Sequence, residues 1–152
     1  MSKPTTPFTK AQLLPQEETL EISKQKGALY IGLPKETHAQ EKRICLTPDA
    51  VAAVVANGHR VLLEHGAGQQ AGFSNTAYSE AGAEITTDTK KVFGCPIILK
   101  VEPPTEEEIA LINPKAVLIS ALQLKTRQKN YFEALAKKKI TALAFEFIKD
   151  KD

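Results

Sequence analysis

The stretch IGLPKETHAQEKRICLTP, from Ile31 to Pro48, decides how the chain is read. It opens as the end of a short apolar strand, Ala28 to Leu33, and breaks at Pro34. A polar loop follows with four basic residues, Lys35, His38, Lys42 and Arg43. Thr47-Pro48 then reads as the start of a helix: a threonine hydroxyl caps the first turn, and proline loses no hydrogen bond at the first helical position. Asp49 adds a negative charge at the positive end of the helix dipole. A cationic loop between a first strand and a first helix is well placed to hold an anion, because ligands of open α/β sheets sit beyond the carboxyl ends of the strands. A solvated connection carries the same mixture of charges, so spacing alone leaves both readings open.

Outward from this stretch the pattern is strand then helix, repeated. Pro48 to Asn57 is a helix with Val51, Val54 and Val55 on one face, ended by Asn57-Gly58. Strands follow at Arg60 to Glu64 and near Glu84 to Thr86, separated by a glycine-rich turn, Gly66 to Phe73, and a helix from Asn75 to Ala81 capped by Ser74. Asp88 to Phe93 is a helical turn. Pro96 to Val101 and Ala116 to Leu122 are apolar enough to be strands covered on both faces. Between them, Thr105 and Glu108 form a capping box for the helix TEEEIALI, and its three glutamates favour the helix dipole. Gln128 to Lys138 is an amphipathic helix with Tyr131, Phe132, Leu135 and Ala136 inward. Ile140 to Phe145 is the last strand. This alternation predicts an α/β fold in three layers, a largely parallel sheet with helices on both faces.

The domain reading is an arm over residues 1–27, with Pro4, Pro7 and Pro15, followed by one domain over residues 28–152. A stop just after a strand is awkward for such a sheet, because no following helix covers the edge; the expectation is a piece of a longer chain. The sequence has 152 residues, 42% hydrophobic and 25% charged, with a formal net charge of +2. That charge gives no argument for nucleic acid or an anionic membrane. No apolar run reaches the roughly 20 residues of a membrane span, and the first residues lack the apolar core of a secretion signal. Cys45 and Cys95 lack metal-ligand spacing and read as small buried hydrophobes in a reducing cytoplasm. His38, His59 and His65 make no metal-binding pair either, and His59 reads as a structural hydrogen-bonding residue.

Gly66-Ala67-Gly68-Gln69-Gln70-Ala71 matches the letters G-x-G-x-x-A after a strand. The letters are not enough: a helix must open within the motif so that its free N–H groups meet a pyrophosphate. Gly72 and the cap at Ser74 put the helix start too late. A tight turn is the preferred reading.

Four strings in order, IGLPKETHAQEKRICLTPDAV, NGHRVLLEHGAG, AYSEAGAEI and PIILKV, resemble the N-terminal domain of the alanine dehydrogenase and pyridine nucleotide transhydrogenase family. The resemblance runs from about Tyr30 to Phe147. It implies a Rossmann-like catalytic domain without the nucleotide-binding domain, in an oxidoreductase that takes L-alanine, NAD and water to pyruvate, ammonia and NADH. It implies that NAD is held by a domain absent from these residues, and that the longer protein is a cytoplasmic homo-oligomer. In alanine dehydrogenases an arginine in the first loop and a lysine after the fourth main strand hold the substrate carboxylate, and a histidine after the next strand moves a proton. The arginine position matches Arg43. The lysine position falls at Glu102, although Lys100 matches a second family lysine. The histidine position falls at Gln123.

The departures bear on the chemistry. An α-keto acid needs a fixed cation at its carboxylate, for which arginine offers a bidentate fork. Glutamine cannot titrate, although its amide can polarise a carbonyl by donating a hydrogen bond. Strand alternation puts Lys100 and Glu102 on one face, and likewise Gln123 and Lys125 if the strand extends that far. The expected site is therefore Arg43 with Lys100 or Lys125 supplying further charge, and Gln123 at the histidine position. A surface role for Lys125 fits the sequence equally. Two other readings stay open: the α-subunit domain of a proton-translocating transhydrogenase, to which EEIALINPKAVLIS is similar, and an inactive stand-alone interaction module.

Overall fold

The structure, a computed structural model, describes residues 27–150. The expected arm lies, but for Gly27, outside the described residues. Six strands form one sheet: β1 (Tyr30–Leu33), β2 (Arg60–Glu64), β3 (Glu84–Thr86), β4 (Ile97–Leu99), β5 (Val117–Ser120) and β6 (Thr141–Ala144). Their order is β3-β2-β1-β4-β5-β6, and every pairing is parallel. This is the order of a doubly wound sheet, in which the chain reverses direction between β1 and β4. Ligand crevices of such sheets open at that reversal, beyond the carboxyl ends of the two strands. Leu33 and Leu99 end β1 and β4, so Pro34 onward and Lys100 onward face each other there.

Five helices connect the strands: α1 (Pro48–Ala56), α2 (Asn75–Glu80), α3 (Thr89–Phe93), α4 (Glu106–Leu111) and α5 (Lys129–Lys137). Local chemistry fixes their starts. Thr47 Oγ1 accepts the Ala50 N–H at 3.3 Å and Ser74 Oγ the Ala77 N–H at 3.1 Å. At α4 the full capping box forms: Thr105 Oγ1 accepts the Glu108 N–H, and Glu108 Oε2 accepts the Thr105 N–H at 2.8 Å. Such caps satisfy amides that have no partner inside the helix. Gly58, at φ +84°, carries the chain out of α1, in a conformation that glycine adopts without a Cβ penalty.

The alternation of each strand divides the core. On one face Leu33, Val61 and Leu63 pack against Val51 of α1 and Tyr78 of α2. On the other, Ile98 and Leu118 pack against Phe93, Ile109, Tyr131 and Leu135 of α3, α4 and α5. Gly32, in the middle of β1, has to be glycine because a Cβ there would run into the Val92 carbonyl oxygen of α3. The cover is unequal. Over β5 and β6 the first face carries Val117, Ile119 and Leu143, which belong to neither core cluster, and Leu143 is 48% exposed. Helices thus lie on both faces, as the sequence predicts, but among the described residues the first face is covered over only part of its width.

Candidate functional site

The loop between β1 and α1 is tied to the rest of the fold at three places and closed on itself at a fourth. The Lys35 N–H donates to the Glu64 carboxylate at the end of β2, at 2.7 Å. Glu36 reaches across to the residues after β4. The Glu41 N–H donates to the His38 carbonyl at 3.0 Å. The Tyr78 hydroxyl donates to the Leu46 carbonyl at 2.7 Å. Few conformations of the loop satisfy all four, so Arg43 is carried on a fixed frame.

Arg43 is held from one side by Glu41. The Glu41 carboxylate accepts the Arg43 N–H at 2.7 Å, Nε at 2.9 Å and Nη2 at 2.8 Å. The glutamate side chain is buried, at 6% exposed, whereas that of the arginine is 74% exposed. A planar guanidinium clamped along one edge keeps its other donors for a second acceptor. Arg43 borders a shallow crevice that Lys35, Glu36, Glu41, Lys42 and Gln70 also line. The Arg43 hydrogen bonds pull the Glu41 carboxyl down from 4.5 to about 2. A depressed carboxyl stabilises the fold above its unfolded value and loses that contribution as pH falls through its folded one. Urea midpoints should therefore fall between pH 4.5 and 2, in part through Glu41, and Arg43→Met should flatten the fall in that window. Equal slopes for both proteins would mean that the pair does not exist in solution.

Lys100 lies deeper, 1% exposed, with its Nζ 2.6 Å from Glu36 Oε2 and 3.8 Å from Glu108 Oε2. The Val101 N–H donates to Glu36 Oε1 at 2.6 Å and the Glu102 N–H to Glu36 Oε2 at 3.3 Å. The ammonium that the sequence offers as a further substrate ligand is thus committed to two carboxylates of the chain. Burial pushes the Glu108 carboxyl up, against the pull of the Thr105 amide and of Lys100. Cys45, within reach of the same charges, is pushed up to about 12 by burial and stays a neutral thiol.

Gln123 stands at the rim. Its Nε2 donates to Glu102 Oε2 at 3.1 Å, and the Glu102 charge bears on the Arg43 guanidinium. Arg43, Glu102 and Gln123 are therefore brought to the same end of the sheet. The alternation expected for Gln123 and Lys125 does not hold. Strand β5 ends at Ser120, and Gln123 sits at φ +50°. The reason is a contact made after β6: the Leu122 and Gln123 amides leave the sheet for the Glu146 carboxylate at 3.2 and 2.8 Å. A turn then closes from the Thr126 N–H to the Gln123 carbonyl at 2.9 Å. Lys125 lies exposed in that turn. Sequence reading misses Glu36 and Glu41, the carboxylates that hold the two cations. Glu41 could have been found, since it lies two residues from Arg43 and so on the same side of an extended segment. Glu36 and Lys100 are 64 positions apart, and nothing local announces their contact.

The glycine motif forms a tight turn. Gln69–Ala71 is a single 3-10 turn closed by Gly72 at φ +85°. A Cβ on Gly68 would lie 2.5 Å from the Tyr78 ring. This glycine is required by packing, and the turn offers no helix N-terminus to a pyrophosphate. These residues do not fit a dinucleotide. His59, as expected, has a structural bond: its Nδ1 accepts the Leu29 N–H at 3.3 Å. No helix among the described residues is long and apolar enough to cross a membrane.

Comparison with known proteins bears on the family and the fold. The chain is 41% identical over 122 residues to alanine dehydrogenase of Bacillus subtilis (strain 168), across 80% of this chain and 32% of that protein. It is 36% identical over 120 residues to alanine dehydrogenase 2 of Staphylococcus aureus (strain Mu50), across 79% and 32%. Among solved structures, an L-alanine dehydrogenase superposes with a TM-score of 0.74 at 34% identity, across 78% of this chain and 32% of that one. A transhydrogenase from Sinorhizobium meliloti gives 0.74 at 26% identity, across 79% and 36%. The chain therefore spans about a third of the length of the curated relatives it matches. The family described as alanine dehydrogenase/PNT, N-terminal domain, matches residues 32–152. With the parallel sheet, its order of strands and this match over most of its length, the chain belongs to the alanine dehydrogenase/PNT N-terminal domain family.

Proposed function

We propose that this chain is the substrate-side domain of an NAD-dependent alanine dehydrogenase, which converts L-alanine, NAD and water to pyruvate, ammonia and NADH. The observation that carries the reading is Arg43: a guanidinium clamped along one edge by a buried carboxylate, open on the other, beside the reversal point of a parallel sheet. It would take the carboxylate of alanine or pyruvate through two parallel N–H donors, which fixes orientation as well as charge. Lys35 and Lys42 line the crevice too, offset by Glu36 and Glu41, so Arg43 is the cation the reading rests on. Gln123 would donate its amide hydrogen bond at the substrate carbonyl and polarise it, without moving a proton. Lys125, in its exposed turn, would add charge at the rim. NAD would be held by residues outside this chain, since its own glycine turn does not fit a pyrophosphate.

A second reading, the domain of a proton-translocating transhydrogenase, is favoured by one observation. Lys100 is sequestered, and glutamate and glutamine stand where the resemblance puts the catalytic lysine and histidine. Assay of the complete gene product that carries this chain separates the two. Alanine-dependent reduction of NAD with release of ammonia supports the dehydrogenase. Hydride exchange between NADH and an NADP analogue, without alanine turnover, would replace it by the transhydrogenase.

A further inference from the structure

Next to the open guanidinium is a second seat for a carboxylate, and it is filled. The Lys100 ammonium and the consecutive amides of Val101 and Glu102 all donate to one acid group. The acid is the chain's own Glu36, whose side chain is 8% exposed. A buried ammonium beside two adjacent backbone N–H groups is the donor set of an anion receptor.

We propose that the carboxyl end of β4 is a carboxylate receptor whose resident ligand is Glu36, and that Glu36 thereby determines which cation a substrate acid can reach. While Glu36 is seated, a free carboxylate is shut out of Lys100 and has Arg43. The consequence for the substrate rests on the dehydrogenase reading; the receptor itself does not.

Three features set Glu36 apart as an occupant of the seat. The donors are fixed without it. The sheet pairing runs on past β4 through the Lys100 N–H to the Ile119 carbonyl at 3.0 Å and the Ala121 N–H to the Val101 carbonyl at 3.1 Å. The Val101 amide consequently points away from the β5 partner and needs an acceptor from elsewhere. Second, Glu36 arrives from another loop, so removing its side chain takes nothing from the frame that carries the donors. Third, Glu108 Oε2 lies 3.8 Å from Nζ and stays as a second carboxylate partner of Lys100 when Glu36 is gone. Glu36 and Glu108 both border a cavity of about 410 Å³ that also touches Lys35, Glu64 and Thr89, so the occupant of the seat lies beside open space.

The test is chemical rescue. Glu36→Ala in the full chain should lower the melting temperature, and acetate or formate should restore at least half of the loss, saturably at millimolar concentration and beyond any effect of equal chloride. Rescue should vanish in Glu36→Ala/Lys100→Met. A folded Glu36→Ala protein that responds to acetate no more than to chloride overturns the proposal. If the variant does not fold, the wild-type protein decides: during a pyruvate titration that moves Arg43 Nε, the Val101 amide resonance should stay still, and its saturable movement overturns the exclusion. The two proposals fail separately. Rescue by acetate with no pyruvate response at Arg43 defeats the dehydrogenase reading and leaves the receptor standing. Pyruvate binding at Arg43 with no rescue in Glu36→Ala does the reverse.

Discussion

Lys100→Met is expected to destabilise the chain by about 3–5 kcal/mol, the usual effect of removing one partner from a buried ion pair. The reason is what remains. Glu36 and Glu108 have side chains 8% and 9% exposed, and without the ammonium two carboxylates would be held together with no buried cation between them. A domain of this size has about 5–15 kcal/mol to lose, so the variant should approach the edge of folding at neutral pH. The loss should shrink on acidification. Burial already pushes the Glu108 carboxyl up, and Lys100 is among the groups that hold it down. A carboxyl raised in the folded state contributes stability below its unfolded value and loses it as pH rises through the folded one. Removing Lys100 widens that gap, so the difference between variant and wild type should be smaller at pH 5 than at pH 7.5, read from urea midpoints. Lys129 is the control. Its pair with Glu133 is 91% and 61% exposed on the two sides, and Lys129→Met should change stability by less than about 1 kcal/mol. Equal effects at both lysines would mean that the buried cluster is not closed.

The second large effect falls on binding. Arg43→Lys should weaken pyruvate affinity about tenfold and Arg43→Ala further, because charged hydrogen bonds are the strong ones and only arginine presents a planar fork. The lysine variant is the more telling. It keeps a cation for Glu41, which alanine would leave buried and alone, so lost affinity in Arg43→Lys cannot be put down to a collapsed loop. Preserved melting temperature with weakened binding is the expected pair of results. Unchanged affinity in both variants would take Arg43 out of the site.

How much of this was legible beforehand depends on the distance over which each feature is decided. The helix starts at Thr47, Ser74 and Thr105 are settled within three residues, and the caps form as read. The parallel sheet follows from apolar strands alternating with amphipathic segments, and its six strands lie where those segments do. Arg43 was legible as a cation in a loop, and as a site residue only by resemblance. What sequence could not show is decided across the sheet. The Glu36–Lys100 contact depends on β1 lying beside β4, which local pattern does not specify. The end of β5 depends on Glu146 taking two amides that a longer strand would have used. The lateness of its helix is enough to read the glycine motif as a turn, but the reason for Gly68, the Tyr78 ring, is visible only in three dimensions.

The most direct test is to titrate the ¹⁵N-labelled chain with pyruvate and follow the side-chain resonances of Arg43 Nε and Gln123 Nε2. Both should move together and saturably, and in Arg43→Lys the Gln123 response should need about ten times more pyruvate. Movement confined to other parts of the sheet, or a Gln123 response indifferent to Arg43→Lys, would contradict the claim that this guanidinium receives the substrate acid.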